Sequence, residues 1–201
     1  MARKRVTSNE RARQVLAQEA ARIIAEQGIE DFRVAKTKAA ERLGMRDFGS
    51  LPGNAEIDRA LGEHLMLFGR ESHADLLNLL RRAALSAMQM LAPFTPRLVG
   101  PVLHGTAAVN SCVNLHVFAD HAELVAERLE LKRVRFRPYE RRLKSRRNRA
   151  ETFAGYRFLH DDAEIEATVF PVDGVRQAPI SPIDGRPMKR ADARTVEDLL
   201  K

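Results

Sequence analysis

Two apolar segments of the sequence carry polar side chains at every second position. In the first segment, Cys112, Asn114 and His116 alternate with valine and leucine. In the second segment, Glu164 and Glu166 alternate with alanine and isoleucine. Because successive side chains of a strand point to opposite faces, each polar set shares one face of its strand. Carboxylate and amide oxygens are ligands that hard cations such as Mg²⁺ accept. If the two faces meet, the sequence predicts one polar site between these strands.

The elements around the first polar set lie between Arg97 and Asp120. Residues 98–103 and 113–118 are apolar runs, and a Gly105-Thr106 turn with a short polar segment separates them. This pattern predicts a strand, a loop and a second strand. Gly105 lacks a Cβ atom, so its backbone could come close to a ligand.

The second polar set lies in a predicted β-hairpin. Residues 120–130 have helical spacing, residues 133–137 alternate as a strand does, and a basic loop is predicted to follow. Residues 153–159 and 164–170 are the two predicted strands of the hairpin, with a turn between them. A strap that contains four of the nine prolines follows over residues 171–189, and a short helix is predicted near residues 195–200.

Everything upstream of Arg97 is predicted to be helical. Helical spacing of apolar residues and Gly or Pro stops predict helices over residues 8–27, 34–43, 57–68 and 72–91. Residues 11–45 resemble the opening of TetR-type helix-turn-helix regulators. A short polar recognition helix does not follow Gly44, however, and a major-groove reader needs one. The alternatives are therefore a DNA-binding lobe and a helical packing lobe, and the sequence favours packing.

Length and composition predict one α+β protein with three parts. The 201 residues are 44% hydrophobic, which is enough for a substantial core. We expect an N-terminal helical lobe over residues 1–70, a mixed sheet with flanking helices over residues 71–171, and the strap with its helix over residues 172–201. The single cysteine excludes an internal disulfide. No apolar run reaches the roughly 20 residues of a membrane span, and the basic start lacks the apolar region of a secretory signal. We therefore expect a cytoplasmic protein without a membrane partner.

The positive charge of the chain is concentrated in one segment. The formal net charge is +7, and residues 128–149 contain eleven Lys or Arg residues against two acids. The rest of the chain has 23 basic and 25 acidic residues. A local basic patch suits a polyanion such as RNA, DNA or a phosphate chain, and the alternative is a solvated loop. Phe136 and Tyr139 lie in this segment and could stack on bases.

The order of the elements resembles the minimal nucleotidyltransferase fold. The pattern of that family is a strand that ends in Gly-Ser, a short linker, an acid-x-acid sequence entering the next strand, and a third carboxylate from a later strand. Gly105-Thr106 resembles the Gly-Ser element, and Ser-Cys-Val-Asn-Leu over residues 111–115 stands where Ser-Asp-x-Asp-Leu is expected. The third acid would come from Glu-Ile-Glu-Ala-Thr-Val-Phe over residues 164–170. The resemblance covers residues 72–170.

The resemblance implies nucleotide transfer with Mg²⁺ and a nucleoside triphosphate, but Cys112 and Asn114 stand at the two acid positions. Asn offers one neutral oxygen, and a thiol is a poor ligand for Mg²⁺. We therefore expect a degenerate member that binds a nucleotide or a phosphorylated partner with weak or no transferase activity. The alternative is a nucleic-acid-binding or regulatory protein that uses residues 128–149. The resemblance assigns Asn114 and Glu166 as the remaining catalytic and metal-binding residues, and Gly105 and Thr106 as positioning the phosphates. The arginines expected to hold a polyanion are Arg141, Arg142, Arg146 and Arg147.

Overall fold

The computed structural model describes residues 8–29, 31–45, 51–68, 70–144 and 149–201. The chain divides into two compact units. The helical unit contains the described residues up to His73 together with Ala108–Asn110. The sheet unit contains Ala74–Ala107 and Ser111–Lys201.

Three helices of the helical unit surround one apolar core. These helices are α1 (Ser8–Gln27), α2 (Phe32–Arg42) and α3 (Asn54–Phe68). Asp31 begins α2 as its N-cap, because its carboxylate accepts hydrogen bonds from two backbone N–H groups of the first turn. The described part of α3 packs on α1. The buried residues at the centre of the shared core are Leu16, Ala20, Ile23, Ala39, Ile57 and Leu61.

The described part of the sheet unit combines five strands with flanking helices. Helix α4 (Arg70–Met90) continues into this unit from the helical one. The remaining elements, in chain order, are β1 (Arg97–Val99), α5 (Pro101–His104), β2 (Val113–Phe118), α6 (Glu123–Leu131), β3 (Phe136–Lys144), β4 (Ala150–His160), β5 (Ala163–Phe170) and α7 (Ala193–Asp198).

The strands form one mixed sheet in the order β1-β2-β5-β4-β3. Strands β2 and β5 are parallel, and the other neighbours are antiparallel. The β2–β5 register pairs Asn114 with Glu166. This parallel pair lies near the middle of the sheet, while β1 and β3 are its edge strands.

One face of the sheet is apolar and packs against helices. Leu115, Ile165 and Tyr156 are buried there in the same cluster as Leu80 of α4 and Leu129 of α6. At 25–30 cal/mol per Å² of apolar area, this burial is the main contribution to the stability of the unit. The opposite face carries the polar residues of β2 and β5.

The first strand is shorter than the sequence indicated. The prediction of a strand over residues 98–103 was wrong, because β1 ends at Val99 and α5 begins at Pro101. Gly100 has a φ of 74° and is the N-cap of α5. Glycine tolerates this backbone turn, and proline is favoured in the first turn of a helix. An apolar run was therefore divided between a strand and a helix.

The prediction of a basic loop after Arg137 was also wrong, because β3 continues to Lys144. Its backbone pairs along its full length with β4, and its charged side chains are accommodated on an edge strand. The predicted hairpin of β4 and β5 is confirmed, and Asp161 and Asp162 form its turn with φ values of 48° and 59°.

The C-terminal segment forms backbone bridges with both edge strands of the sheet. Ile180 forms a bridge with Lys144 at the end of β3, and Ala191 forms a bridge with Leu98 of β1. Helix α7 then packs Val196 into the sheet core.

The fold class predicted from the sequence is confirmed. The chain is an α+β protein in which N-terminal helices precede a mixed sheet with flanking helices. Within the described ranges, no helix combines the length and apolar character that a membrane span requires.

Candidate functional site

The two polar sets identified in the sequence meet on one face of the sheet. Asn114 of β2 lies beside Glu166 of β5 in the parallel register. At the start of the same strands, the Cys112 thiol donates a hydrogen bond to Glu164 Oε2 at 3.2 Å. The two polar sets therefore lie side by side on one face of the sheet, and the arrangement that strand periodicity allowed is confirmed.

Glu166 is a buried carboxylate held between two arginines. Its side chain is 2% exposed, and Arg141 of β3 and Arg157 of β4 each donate to a different one of its two oxygens. Arg141 also donates from Nη1 to Asn114 Oδ1 at 2.7 Å. The hydrogen bond to Glu166 raises the pKa of Arg157, so this guanidinium group remains charged. Burial of a charge requires this kind of pairing, because an isolated ion loses its hydration.

Tyr139 lies across the sheet between the two arginines. Its hydroxyl is 2.7 Å from Thr168 Oγ1 on β5, two strands away. The ring crosses β4 at Gly155, where a Cβ atom would approach Tyr139 Cζ to 2.5 Å. The guanidinium carbons of Arg141 and Arg157 lie 5.8 and 5.9 Å from the ring centroid. Burial raises the pKa of Tyr139, so the phenol stays protonated at neutral pH. The ring therefore positions both guanidinium groups around Glu166.

A further arginine extends the positive charge of this face. Arg137 of β3 is directly opposite Arg157 of β4. Within the described residues, the Arg137 side chain is exposed and has no ion pair, and like charges at opposed positions repel. A groove of about 1040 Å³ lies around this edge of the sheet, and residues of both faces line it. Arg135, Arg137, Tyr139 and Arg157 are among them, together with the acids Glu130 and Glu164 and with apolar residues such as Val134, Phe136 and Phe158. This end of the face is suited to an anion that would relieve the repulsion.

The other end of the face is closed by the C-terminal segment. Arg190 donates from Nε to Nδ1 of the buried His116 at 3.0 Å, and its guanidinium lies over the rings of Phe118 and Phe170. Burial lowers the pKa of Arg190 to about 10. Burial, with Arg190 and Arg141 nearby, lowers the pKa of His116 well below 6.5. His116 is therefore a neutral acceptor at pH 7.

The side chains of the site do not fit a divalent metal ion. Both oxygens of Glu166 and the oxygen of Asn114 accept hydrogen bonds from guanidinium groups, so their lone pairs point to positive charge. Cys112 is bonded to Glu164. Among the described residues, no group of three or more His, Cys, Asp or Glu side chains could hold a metal. The expectation that Asn114 and Glu166 bind Mg²⁺ receives no support from these contacts.

The predicted phosphate-binding turn, Gly105-Thr106, lies at the C-terminal end of α5. Gly105 is the C-cap of α5, and a Cβ atom there would be 3.9 Å from Arg81 and 4.0 Å from Leu77 of α4. The backbone N–H groups of Gly105 and Thr106 both bond to the Pro101 carbonyl.

Gly100, which the sequence analysis did not select, borders the site instead. A Cβ atom at Gly100 would be 3.5 Å from Asn114 Nδ2. A glycine directly before a proline within an apolar run is the sequence signal that could have identified it.

Of the four arginines predicted to hold a polyanion, the structure describes Arg141 and Arg142, and their side chains lie on different faces of the sheet. Arg141 is in the Glu166 cluster, while Arg142 follows it on β3 and therefore points to the opposite face. Arg146 and Arg147 lie outside the described residues. Arg157 and Tyr139 complete the cluster. Arg157 lies nine residues before Glu166 and opposite it in the predicted hairpin, so the pairing within that hairpin was the signal that could have identified it.

The fold and the site together define an α+β protein with an arginine-bound carboxylate on the open face of a mixed sheet. Comparison with protein-family models, with curated proteins and with solved structures finds no significant match in any of the three.

Gly155 provides a test of the position of Tyr139. Gly155→Ala should displace the ring, break its hydrogen bond to Thr168 and lower the free energy of unfolding by about 1–3 kcal/mol. The pKa of Tyr139 should fall toward 10, which an ultraviolet titration of the two tyrosines would detect. Gly174→Ala is the matched control, because its Cβ would be 3.4 Å from Phe170 Cβ in ordinary contact. Equal effects of the two substitutions would contradict the arrangement.

The lowered pKa of His116 predicts that the stability of the protein depends on pH. The folded protein holds His116 with a pKa below 6.5, whereas the unfolded chain binds a proton there near pH 6.5. The stabilising contribution is therefore complete above that pH and falls by up to about 1.4 kcal/mol per pH unit below it. His116→Asn keeps an acceptor for Arg190, so urea unfolding at about pH 5 and about pH 7.5 should show a smaller loss for this variant. The exposed His121→Asn is the control, and a pH profile unchanged by His116→Asn would refute the assignment.

Proposed function

We propose that this protein is nucleotidyltransferase-like and binds a nucleotide or a phosphorylated partner on the polar face of its sheet, with weak or no transferase activity. The observation that carries the proposal is the group of arginines around one buried carboxylate. Arg141 and Arg157 pair with the buried Glu166, and Arg137 lies opposite Arg157 on the edge strand. Glu164 lies at the rim, where its carboxylate is 3.7 Å from Arg157.

The arginines have donors left for a phosphate group. A guanidinium has five N–H donors, and Arg141 uses Nη1 for Asn114 and Nη2 for Glu166. Arginine binds phosphate in a bidentate manner, and such charge-assisted bonds are about twice as strong as neutral ones. The groove beside Arg137 and Arg157 has room for a ligand of nucleotide size.

Weak or absent transfer follows from the chemistry of the same residues. Transfer in the family that the sequence resembles relies on Mg²⁺ held by carboxylates, which neutralises charge that develops on the phosphates. Here Cys112 and Asn114 stand at the acid positions, and the oxygens of Glu166 face arginines. The chain's own residues can bind and orient a phosphate, but both oxygens of Glu166 accept hydrogen bonds from arginines and are therefore poorly placed to accept a proton from a nucleophile.

Calorimetric titration with the four ribonucleoside triphosphates tests this proposal, with and without Mg²⁺. Wild type should bind at least one of them, and Arg137→Gln should weaken binding by about tenfold because a charged donor is lost. Arg142→Gln is the matched control on the same strand, and it should leave the affinity unchanged. The lack of binding by wild type, or equal losses in the two variants, would refute the proposal.

The edge strand favours a second candidate, a nucleic-acid-binding protein. Arg137, Arg142 and Lys144 are exposed along β3 and have no ion pair among the described residues. Tyr139 bonds to Thr168, and Phe136 packs edge-on against Tyr156 at 5.1 Å, so neither ring is presented for stacking. Binding would therefore depend on phosphate contacts rather than on bases.

A salt titration with single-stranded RNA and DNA separates the two candidates. If nucleic acid is the ligand, the logarithm of the binding constant should fall with that of the salt concentration, by a slope of about 0.7 per phosphate contact. Arg142→Gln with Lys144→Gln should reduce that slope, whereas Asn114→Ala should not. Salt-independent or undetectable binding would exclude this candidate.

A further inference from the structure

The contacts of Arg141 place a positive charge between two oxygen-bearing side chains. One guanidinium donates both to Asn114 Oδ1 on β2 and to Glu166 Oε2 on β5. A cation shared by these two residues would have to occupy the same space. Arg157 approaches the second oxygen of Glu166 from β4.

We propose that Arg141 and Arg157 are fixed cations in the place of divalent metal ions, so that Glu166 binds no metal and guanidinium groups hold any phosphate directly. For its phosphate ligand this inference rests on the proposed function. The exclusion of metal does not depend on it, because it follows from contacts within the chain.

The net charge of the cluster supports the proposal that arginines take the place of metal ions. One buried carboxylate with two guanidinium groups carries a net charge of +1. Three carboxylates with two divalent ions, as in two-metal sites, would also carry +1. Glu164 adds a negative charge at the rim, where its side chain is half exposed and water screens it. The electrostatic field that a phosphate group meets is therefore supplied by covalently attached cations.

The two arginines are held in place independently of a ligand. The Tyr139 ring lies between them, and its hydroxyl is fixed by Thr168. Arg141 and Arg157 are 30% and 46% exposed, whereas Glu166 is 2% exposed. Their outer edges can therefore contact a ligand while Glu166 remains covered. A divalent ion would have to displace these groups and would be repelled by them at short range.

Manganese alone, without nucleotide, tests the exclusion of metal. Wild type should show no Mn²⁺ binding at Glu166 by electron paramagnetic resonance. Cys112→Asp with Asn114→Asp restores the acids of the family pattern, and adding Arg141→Gln should raise the affinity for Mn²⁺ by about tenfold or more. Adding Arg142→Gln instead is the matched control and should have no effect. Equal Mn²⁺ affinity with and without Arg141 would overturn the proposal.

The single variant Arg141→Gln keeps the test valid if the acid-restored chain fails to fold. Its unfolding midpoint should be lower than that of wild type, and Mn²⁺ should raise it, because Glu166 retains only Arg157. Wild type and Arg142→Gln should not respond to Mn²⁺. A midpoint for Arg141→Gln that does not respond to Mn²⁺ would overturn the proposal.

Inorganic pyrophosphate tests the direct contact with phosphate. Wild type should bind it as tightly in a chelator as in Mg²⁺, and Glu166→Gln should increase the affinity because the guanidinium groups lose their internal anion. A requirement for Mg²⁺ would overturn the inference. Failure of wild type to bind any phosphate compound would refute the proposed function and the phosphate contact, while the Mn²⁺ measurements would still decide whether the arginines exclude metal.

Discussion

The carboxylate of Glu166 must have positive charge beside it in order to be buried. It lies on β5 in the interior of the sheet, with 2% of its side chain exposed, and two arginines from β3 and β4 meet it there. Removal of one partner from such a cluster leaves an uncompensated charge, which is more destabilising than the loss of a surface ion pair. Strands β3, β4 and β5 are therefore joined through side chains as well as through their backbone ladders.

The geometry of this cluster depends on a glycine. Gly155 leaves the space above β4 through which Tyr139 reaches Thr168, and the guanidinium groups of Arg141 and Arg157 both lie close to the ring. An aromatic side chain that covers a strand glycine also protects the backbone at that position. A polar face can be rigid in this way, because each polar side chain of the cluster either forms a hydrogen bond across the sheet or packs on the Tyr139 ring.

Periodicity in the sequence predicted the faces of the strands but not their neighbours. The alternation around Asn114 and Glu166 placed each residue on a defined face, and the observed register brings those faces together. Arg157 was missed, although the predicted hairpin of β4 with β5 places it opposite Glu166. Arg141 reaches Glu166 from β3, two strands away, and no local pattern indicates that contact.

The errors have local physical causes. The charged residues of β3 indicated a loop, but an edge strand tolerates them. Gly100 and Pro101 end the first strand and begin α5, so half of the apolar run is helical. The chemical nature of the site could be predicted only as far as the shared polar faces around Asn114 and Glu166.

The central claim is that arginine occupies the cation position beside Glu166. A crystal structure of the wild-type protein grown with MnCl₂, with data recorded at the manganese absorption edge, tests it most directly. We expect no anomalous peak within coordination distance of Glu166 and a guanidinium group of Arg141 between Asn114 and Glu166. An anomalous peak coordinated by Glu166, with Arg141 displaced, would contradict it.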